Sequence, residues 1–292
     1  MSRIEDAQRV VSALTAAEFA ALQAWIAGPE TERRGTRASI TLGGDAPPGP
    51  DQDSGARPAP EIPLAGIDGC RSGWYVVVEQ AGTLSWHVVQ LLADALDLVP
   101  APGILAVDVP IGLLDRGDRA CDREARRALA PRRSSSVFSA PLRPVLSAPT
   151  HADASARRRA IEGKRMSIQA FAIIPKIAEV DACLAGRPAE AGRVFEVHPE
   201  VTFARMNGGP ALAHSKKGTD GRHERRSLLA AAFGDAPARF VAERPKRDVQ
   251  ADDVLDAFAA LWTARRVARG AAASLPAEPP RDGRGLAMAI YV

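Results

Sequence analysis

LAGIDGCRSGWYVVVEQAGTLSWHVVQLL, residues 64–92, holds three runs rich in Val, Ile, Trp and Tyr, parted by the short turn signals RSG and AG. β-branched and aromatic residues favour strands, and short Gly-containing connections favour hairpins. The stretch therefore predicts an antiparallel meander. After it, ADALDLV (93–99) reads as a helix and GILAVDVPIGL (103–113) as a buried strand ended by proline. The order is β-β-β-α-β, which defines an α/β protein with a mixed sheet flanked by helices. Residues 117–190 read largely as helix and loop, including DREARRALA (122–130) and MSIQAFAIIPKIAEVDACLAG (166–186). GRVFEVHPEVTF (192–203) supplies a fifth strand, and the closing GLAMAIYV (285–292) has strand composition.

Upstream of the meander, residues 1–28 carry Val10, Val11, Leu14, Phe19, Leu22, Trp25 and Ile26 at helical spacing, an amphipathic helical extension. Residues 29–62 are rich in Gly, Pro and charge and read as a flexible linker, leaving 63–292 as the main domain. The 292 residues are 46% hydrophobic, enough for one sizeable core. No apolar run approaches the roughly 18 residues of a membrane span, and the N-terminus lacks the order of a signal peptide, so a cytoplasmic protein with no membrane partner is expected. Cys70, Cys121 and Cys183 are far apart, without a C-x-x-C pair, and read as ordinary thiols. Residues 1–63 hold 6 basic and 9 acidic side chains, which leaves 32 against 26 in the remainder. That mildly basic balance permits a polyanionic partner.

Acids in apolar strands are the chemical signal. Asp68 interrupts the first strand and Asp108 the fourth, where a carboxylate is costly to desolvate unless paired or holding a metal. Glu196 is a third strand-borne acid. In ADDVLDAF (251–258), Asp253 and Asp256 head the small-residue face formed by Ala257, Ala260 and Ala264. Such a face lets a helix lie close to a sheet. Capping of the helix N-terminus explains acids there equally well. If strand 1 lies beside strand 4, Asp68 and Asp108 become neighbours and the helix completes an acid cluster suited to hard divalent cations.

GIDGCRSGW, DVPIGL, RACDREARRALAPRRSSSVF, IAEVDACL, EVHPEVTF, SKKGTDGRHERRSLL and DDVLDAF, in this order, resemble the RNase H-like superfamily. Within it they resemble the branch called domain of unknown function 429, classed as predicted nucleases. The resemblance covers roughly residues 64–292. It implies a RuvC-like sheet, and a nuclease using one or two Mg²⁺ or Mn²⁺ ions on nucleic acid. In RuvC-like resolvases an acid on the first strand, one on the fourth and two spaced three apart on the final helix bind the metals. Asp68, Asp108, Asp253 and Asp256 match these positions. The fourth-strand acid is aspartate where the resolvases carry glutamate, one methylene longer, which leaves ion spacing and number open. Glu196 has no counterpart in that set, and reads as an extra ligand and catalytic acid or as a partner for an arginine.

For substrate phosphates the candidates are Arg133, Ser135 and Ser136 in PRRSSSVF (131–138), and Lys216 and Lys217 in a Gly-flanked, mobile cationic loop. ARRRAIEGKR (156–165) reads as a solvated face. Aromatic content of 5% offers no base-stacking platform. His198, two residues past Glu196, orients water or is a hydrogen-bonded structural histidine, and His87 is structural. Against a nuclease stand two rivals. One is a catalytically silent module that binds nucleic acid through the basic loops or a protein partner through the N-terminal helix. The other is an actin- or sugar-kinase-type ATPase, for which roughly 230 residues are too few to hold two copies of the fold.

Overall fold

The computed structural model describes residues 62–292. The expected N-terminal helical segment and, Ile62 apart, the linker lie outside the described residues. Strands β1 (Leu64–Cys70), β2 (Gly73–Gln80) and β3 (Thr83–Val89) form the meander. β1 pairs with β2 from Leu64↔Glu79 to Cys70↔Gly73, and β2 with β3 from Trp74↔Val89 to Gln80↔Thr83. Ala81 and Gly82 join β2 to β3 at φ +47° and +78°, the left-handed pair of a tight hairpin.

Helix α1 (Leu92–Leu96) then crosses to β4 (Ile104–Val107), which lies parallel to β1 from Leu64↔Ile104 to Ile67↔Val107. After α2 (Ala120–Ala128), α3 (His151–Glu162), α4 (Ile168–Ala172) and α5 (Ile174–Gly186), strand β5 (Val194–Glu196) adds in parallel beside β4. The sheet order is β3-β2-β1-β4-β5, so the predicted β-β-β-α-β order holds and strand 1 does lie beside strand 4. Helices α6 (Pro199–Met206), α7 (Thr219–Phe233), α8 (Ala236–Glu243) and α9 (Ala251–Ala268) follow.

Side chains alternate along β1, so the two faces have different partners. Ala65 and Ile67 face a core shared with Leu92, Leu96, Ile177, Val180 and Leu184 of α1 and α5. On the other face Leu64, Tyr75, Val77 and Ala106 pack with Phe258, Leu261 and the alanines of α9. α9 is in turn covered by α7 and α8, with Phe258 against Phe233 and Phe240 at ring-centroid distances of 5.1 and 5.4 Å. Its alanine face meets β1 at Gly66, as the sequence pattern requires. The tail forms a small hairpin of β6 (Ser274–Leu275) and β7 (Ile290–Tyr291), and Tyr291 bridges in parallel to Val197 just past β5. The closing strand thus touches the main sheet at its β5 edge. Among the described residues no helix is long and apolar enough to cross a membrane.

Candidate metal centre

Parallel neighbours end together. Ile67 pairs with Val107, and the Asp108 N–H donates to the Ile67 carbonyl at 3.0 Å, which sets Asp68 and Asp108 side by side at the carboxyl edge of the sheet. The start of α9 comes to the same edge because its alanine face rests on β1. Asp68, Asp108 and Asp256 each offer a carboxylate oxygen, all within 4.8 Å of one another. Asp68 and Asp256 are buried and Asp108 is half-buried. The Asp68 carboxylate also accepts from the Gly69 N–H at 2.7 Å.

Asp253 is not one of the three converging acids. It stands in the first turn of α9, and its Oδ2 accepts from the Gln250 N–H at 2.8 Å, the return half of a capping box. The helix begins at Ala251 with Gln250 as its N-cap, so the two readings of ADDVLDAF separate by residue. Asp253 caps, and Asp256 points into the cluster.

Lys216 reaches Asp256, with Nζ 2.7 Å from Oδ2, while Lys217 is exposed. The segment that carries them, read from its glycines as a mobile loop, is tied down at several points. The Arg133 guanidinium donates to the Leu212 and Ala213 carbonyls at 3.2 and 3.0 Å. Glu224 accepts from the His214 N–H at 3.1 Å and lies 2.9 Å from its Nδ1. Arg225, buried beneath, donates to the His214 and Gly221 carbonyls and pairs with Glu200 at 2.5 Å. Arg133, expected at substrate phosphate, is therefore a staple between two basic segments, and the adjoining Ser135 and Ser136 are exposed. The Ser136 hydroxyl donates back to the Arg133 carbonyl at 2.7 Å.

Of the two readings of Glu196, an extra catalytic acid or the partner of an arginine, the structure shows the second. Both its oxygens accept from Arg119 at 2.7 and 2.8 Å, and the Ile111 N–H adds a third bond at 2.7 Å. Arg119 also pairs with Asp122 at 2.6 Å, all three groups being buried. One cation between two carboxylates leaves a net negative charge without solvent, and burial raises the Glu196 carboxyl to about 7 against the pull of Arg119. Cys121, Asp122 and Glu196 form a second grouping of metal-compatible atoms, in which Arg119 already serves as the cation. The three cysteines are free and buried, and burial raises each thiol.

Two side chains of the site carry more than the sequence assigns to them. Lys176, near the start of α5, lies across the β1–β2 turn with its Nζ donating to the Gly73 carbonyl, 4.4 Å above the Trp74 ring. Its stem covers Gly69, where a Cβ would stand 2.9 Å from Lys176 Cδ. Burial lowers its pKa, opposed by Cys70, Asp68, Glu179 and Asp253. The available signal was a lone lysine in the apolar run AIIPKIA (172–178). His198 is held neutral first by burial, with Glu200, Lys216 and Asp256 among the charges acting on it. Its Nε2 lies 3.4 Å from the Ser136 carbonyl, and its Nδ1 is buried without a hydrogen-bond partner among the described residues.

Fold and site together define an α/β protein with a carboxylate cluster at the carboxyl edge of two parallel strands, faced by lysines. The chain belongs to the family described as Protein of unknown function (DUF429), whose model matches residues 66–281, a span that includes every one of these acids and lysines. No curated protein and no solved structure gives a significant match.

Proposed function

We propose that this protein is an RNase H-like, divalent-metal-dependent phosphodiesterase acting on nucleic acid. The convergence of Asp68, Asp108 and Asp256 within 4.8 Å carries the reading. Like charges at that spacing repel by about 3 kcal/mol per pair at an effective dielectric constant near 20. A site that spends so much on gathering carboxylates is suited to a cation. Its donors are all carboxylate oxygens, the set that hard ions such as Mg²⁺ and Mn²⁺ prefer. Asp68, Asp108 and Asp256 would hold the ion, which supplies Lewis-acid activation of water and charge neutralisation at a phosphoryl group.

The sheet order and the entry of the acids from strand 1, strand 4 and the last long helix support the RNase H-like placement. The chain's own residues account for the rest of the proposal. Lys217, next to the Lys216 that meets the cluster, and Arg132 are exposed on the two segments stapled together by Arg133, where their charge is open to a phosphate backbone. His198 is neutral and hydrogen-bonds through Nε2, which suits it to orienting a water or a phosphate oxygen rather than to carrying charge. A pure binding module has no use for clustered carboxylates that repel phosphate, which ranks the catalytically silent alternative second. The test is incubation of the purified protein with single-stranded, double-stranded, hybrid and branched nucleic acids in Mg²⁺, Mn²⁺ or EDTA. Cleavage that needs the metal and disappears in Asp68→Asn supports the reading. Cleavage by Asp68→Asn equal to wild type, or none on any substrate, removes it.

A further inference from the structure

We infer that this protein forms a homodimer through the outer edge of β3, the β3 strands of two copies pairing antiparallel about a two-fold axis. The inference is independent of the metal reading. The strand order β3-β2-β1-β4-β5 leaves two sheet edges, and they are built differently. The β5 edge is three residues long and covered by the tail, with Tyr291 bridging to Val197 and its ring 4.9 Å from that of Phe195. The β3 edge is seven residues long and pairs with β2 in unbroken register from Trp74↔Val89 to Gln80↔Thr83. Among the described residues no strand lies on its outer side. A free row of backbone N–H and C=O groups is a template for another strand, which proteins ordinarily blunt with charged side chains, proline or a bulge. β3 carries no Asp, Glu, Lys, Arg or Pro, and no bulge.

Composition indicates which strand. From Gln80 to Ala93 the chain holds no Asp, Glu, Lys or Arg, within a sequence that is 25% charged. Identical edges bring identical charges face to face, so a strand that pairs with its own copy has to be neutral, whereas an edge built for a charged segment would carry the opposite sign. Glu79, at the end of β2 beside it, is matched by Arg265 at 2.7 and 2.8 Å. The apolar residues agree. Leu84, Trp86 and Val88 lie on one face, packed on the α9 core by their inner sides yet only half-buried. Trp86 stacks on Tyr75 at 5.8 Å, and its Nε1 donates to the exposed Glu243 at 3.5 Å. A two-fold axis normal to the sheet keeps the faces matched, so this row meets the same row of the second copy in any antiparallel register. β3 runs in the direction of β1, since two antiparallel steps separate them. Its copy runs the opposite way, and the acid clusters of the two chains therefore open on opposite edges of the joined sheet.

Sedimentation of the full-length chain across the micromolar range, with hydrogen exchange of the β3 amides followed at the same concentrations, tests this. Wild type is expected to sediment as a dimer whose outward β3 amides are protected. Thr83 and Ser85 are exposed, so Thr83→Lys with Ser85→Lys leaves the fold intact and sets like charges across the axis. Dimerisation should weaken at least about tenfold. Thr83→Glu with Ser85→Glu should do the same, and an equimolar mixture of the two variants should dimerise again, a rescue that no change in folding imitates. A wild-type monomer overturns the inference, and protected β3 amides in that monomer show that another segment covers the edge. Dimers of undiminished strength in both charged variants, each with a wild-type melt, also overturn it, because the copies then meet elsewhere.

Discussion

Gly66 and Ala257 stand closer than any side chain between them permits, for a Cβ placed on Gly66 would lie 2.2 Å from the Ala257 carbonyl oxygen. The same atom would lie 2.2 Å from the Leu261 N. Both obstacles are backbone, so neither can rotate away. This contact lays α9 on β1 and brings Asp256 to Asp68. Gly66→Ala is therefore expected to cost about 3 kcal/mol or more, at or beyond the upper end of ordinary overpacking, because a helix axis has to move. Urea denaturation in EDTA measures it. The displaced helix should also lose Mn²⁺-induced stabilisation, and a variant with wild-type midpoint and wild-type metal shift would show that the close approach does not position the site.

The meander was readable because its turns are written in local chemistry, RSG and AG between β-branched runs, and α9 because alanine and bulky residues separate onto two faces. Asp68 and Asp108 were readable for a related reason, as acids placed where strand neighbours are apolar. What the sequence does not show is pairing across long separations. Arg119 finds Glu196 77 residues away, and Arg133 finds Leu212 79 residues away. In each case a basic residue that reads as free to meet phosphate, or an acid that reads as catalytic, is consumed by a partner that only the fold brings near. Lys176 was missed for the converse reason, since no local pattern announces that a lysine on α5 will lie over the β1–β2 turn.

The buried Arg119–Glu196–Asp122 group predicts a pH dependence. The Glu196 carboxyl titrates near 7 in the folded protein and near the ordinary carboxylate value of 4.5 in the unfolded chain. Between those values the native state holds the extra proton. The stability this group contributes is therefore full below about pH 4.5 and is lost as pH rises to about 7. Urea midpoints in EDTA from pH 5 to 8 should fall along this slope, and Glu196→Gln should flatten it while Mn²⁺ binding stays at wild-type strength. Loss of Mn²⁺ binding in a folded Glu196→Gln protein would return Glu196 to the metal site.

Lys217 and Arg132 are predicted to touch substrate backbone, and Arg133 is not. Lys217→Ala and Arg132→Ala should each weaken nucleic-acid binding regardless of sequence, and lower the salt slope by roughly one counterion. Filter binding or anisotropy between low and physiological salt reads both quantities. Arg133→Ala should instead destabilise the fold, since it releases the carbonyls of Leu212 and Ala213. An unchanged slope in the Lys217 and Arg132 variants would leave these side chains as a solvated face.

Asp253 and Asp256 are three residues apart on one helix and are predicted to fail in different ways. Asp253 holds the Gln250 N–H, so Asp253→Ala should lose about 1 kcal/mol in EDTA, the ordinary worth of a helix cap, while keeping most of the Mn²⁺ shift. At Asp256 two effects oppose each other in EDTA. Removing its charge relieves the repulsion with Asp68 and Asp108, and it also breaks the contact with Lys216, whose side chain is 27% exposed and can turn toward water. With the two effects opposed and the lysine end able to reach water, the net change should stay within about 1 kcal/mol. The metal signature is different, because an ion that binds only the native state raises stability by mass action, about 2.7 kcal/mol at a hundred times its dissociation constant. Asp256→Ala should forfeit most of that gain. Thermal melts of wild type and both variants, in EDTA and in excess Mn²⁺, separate the two roles. A large loss for Asp256→Ala in EDTA with an undiminished Mn²⁺ shift would mean that Asp256 serves the helix and not the ion.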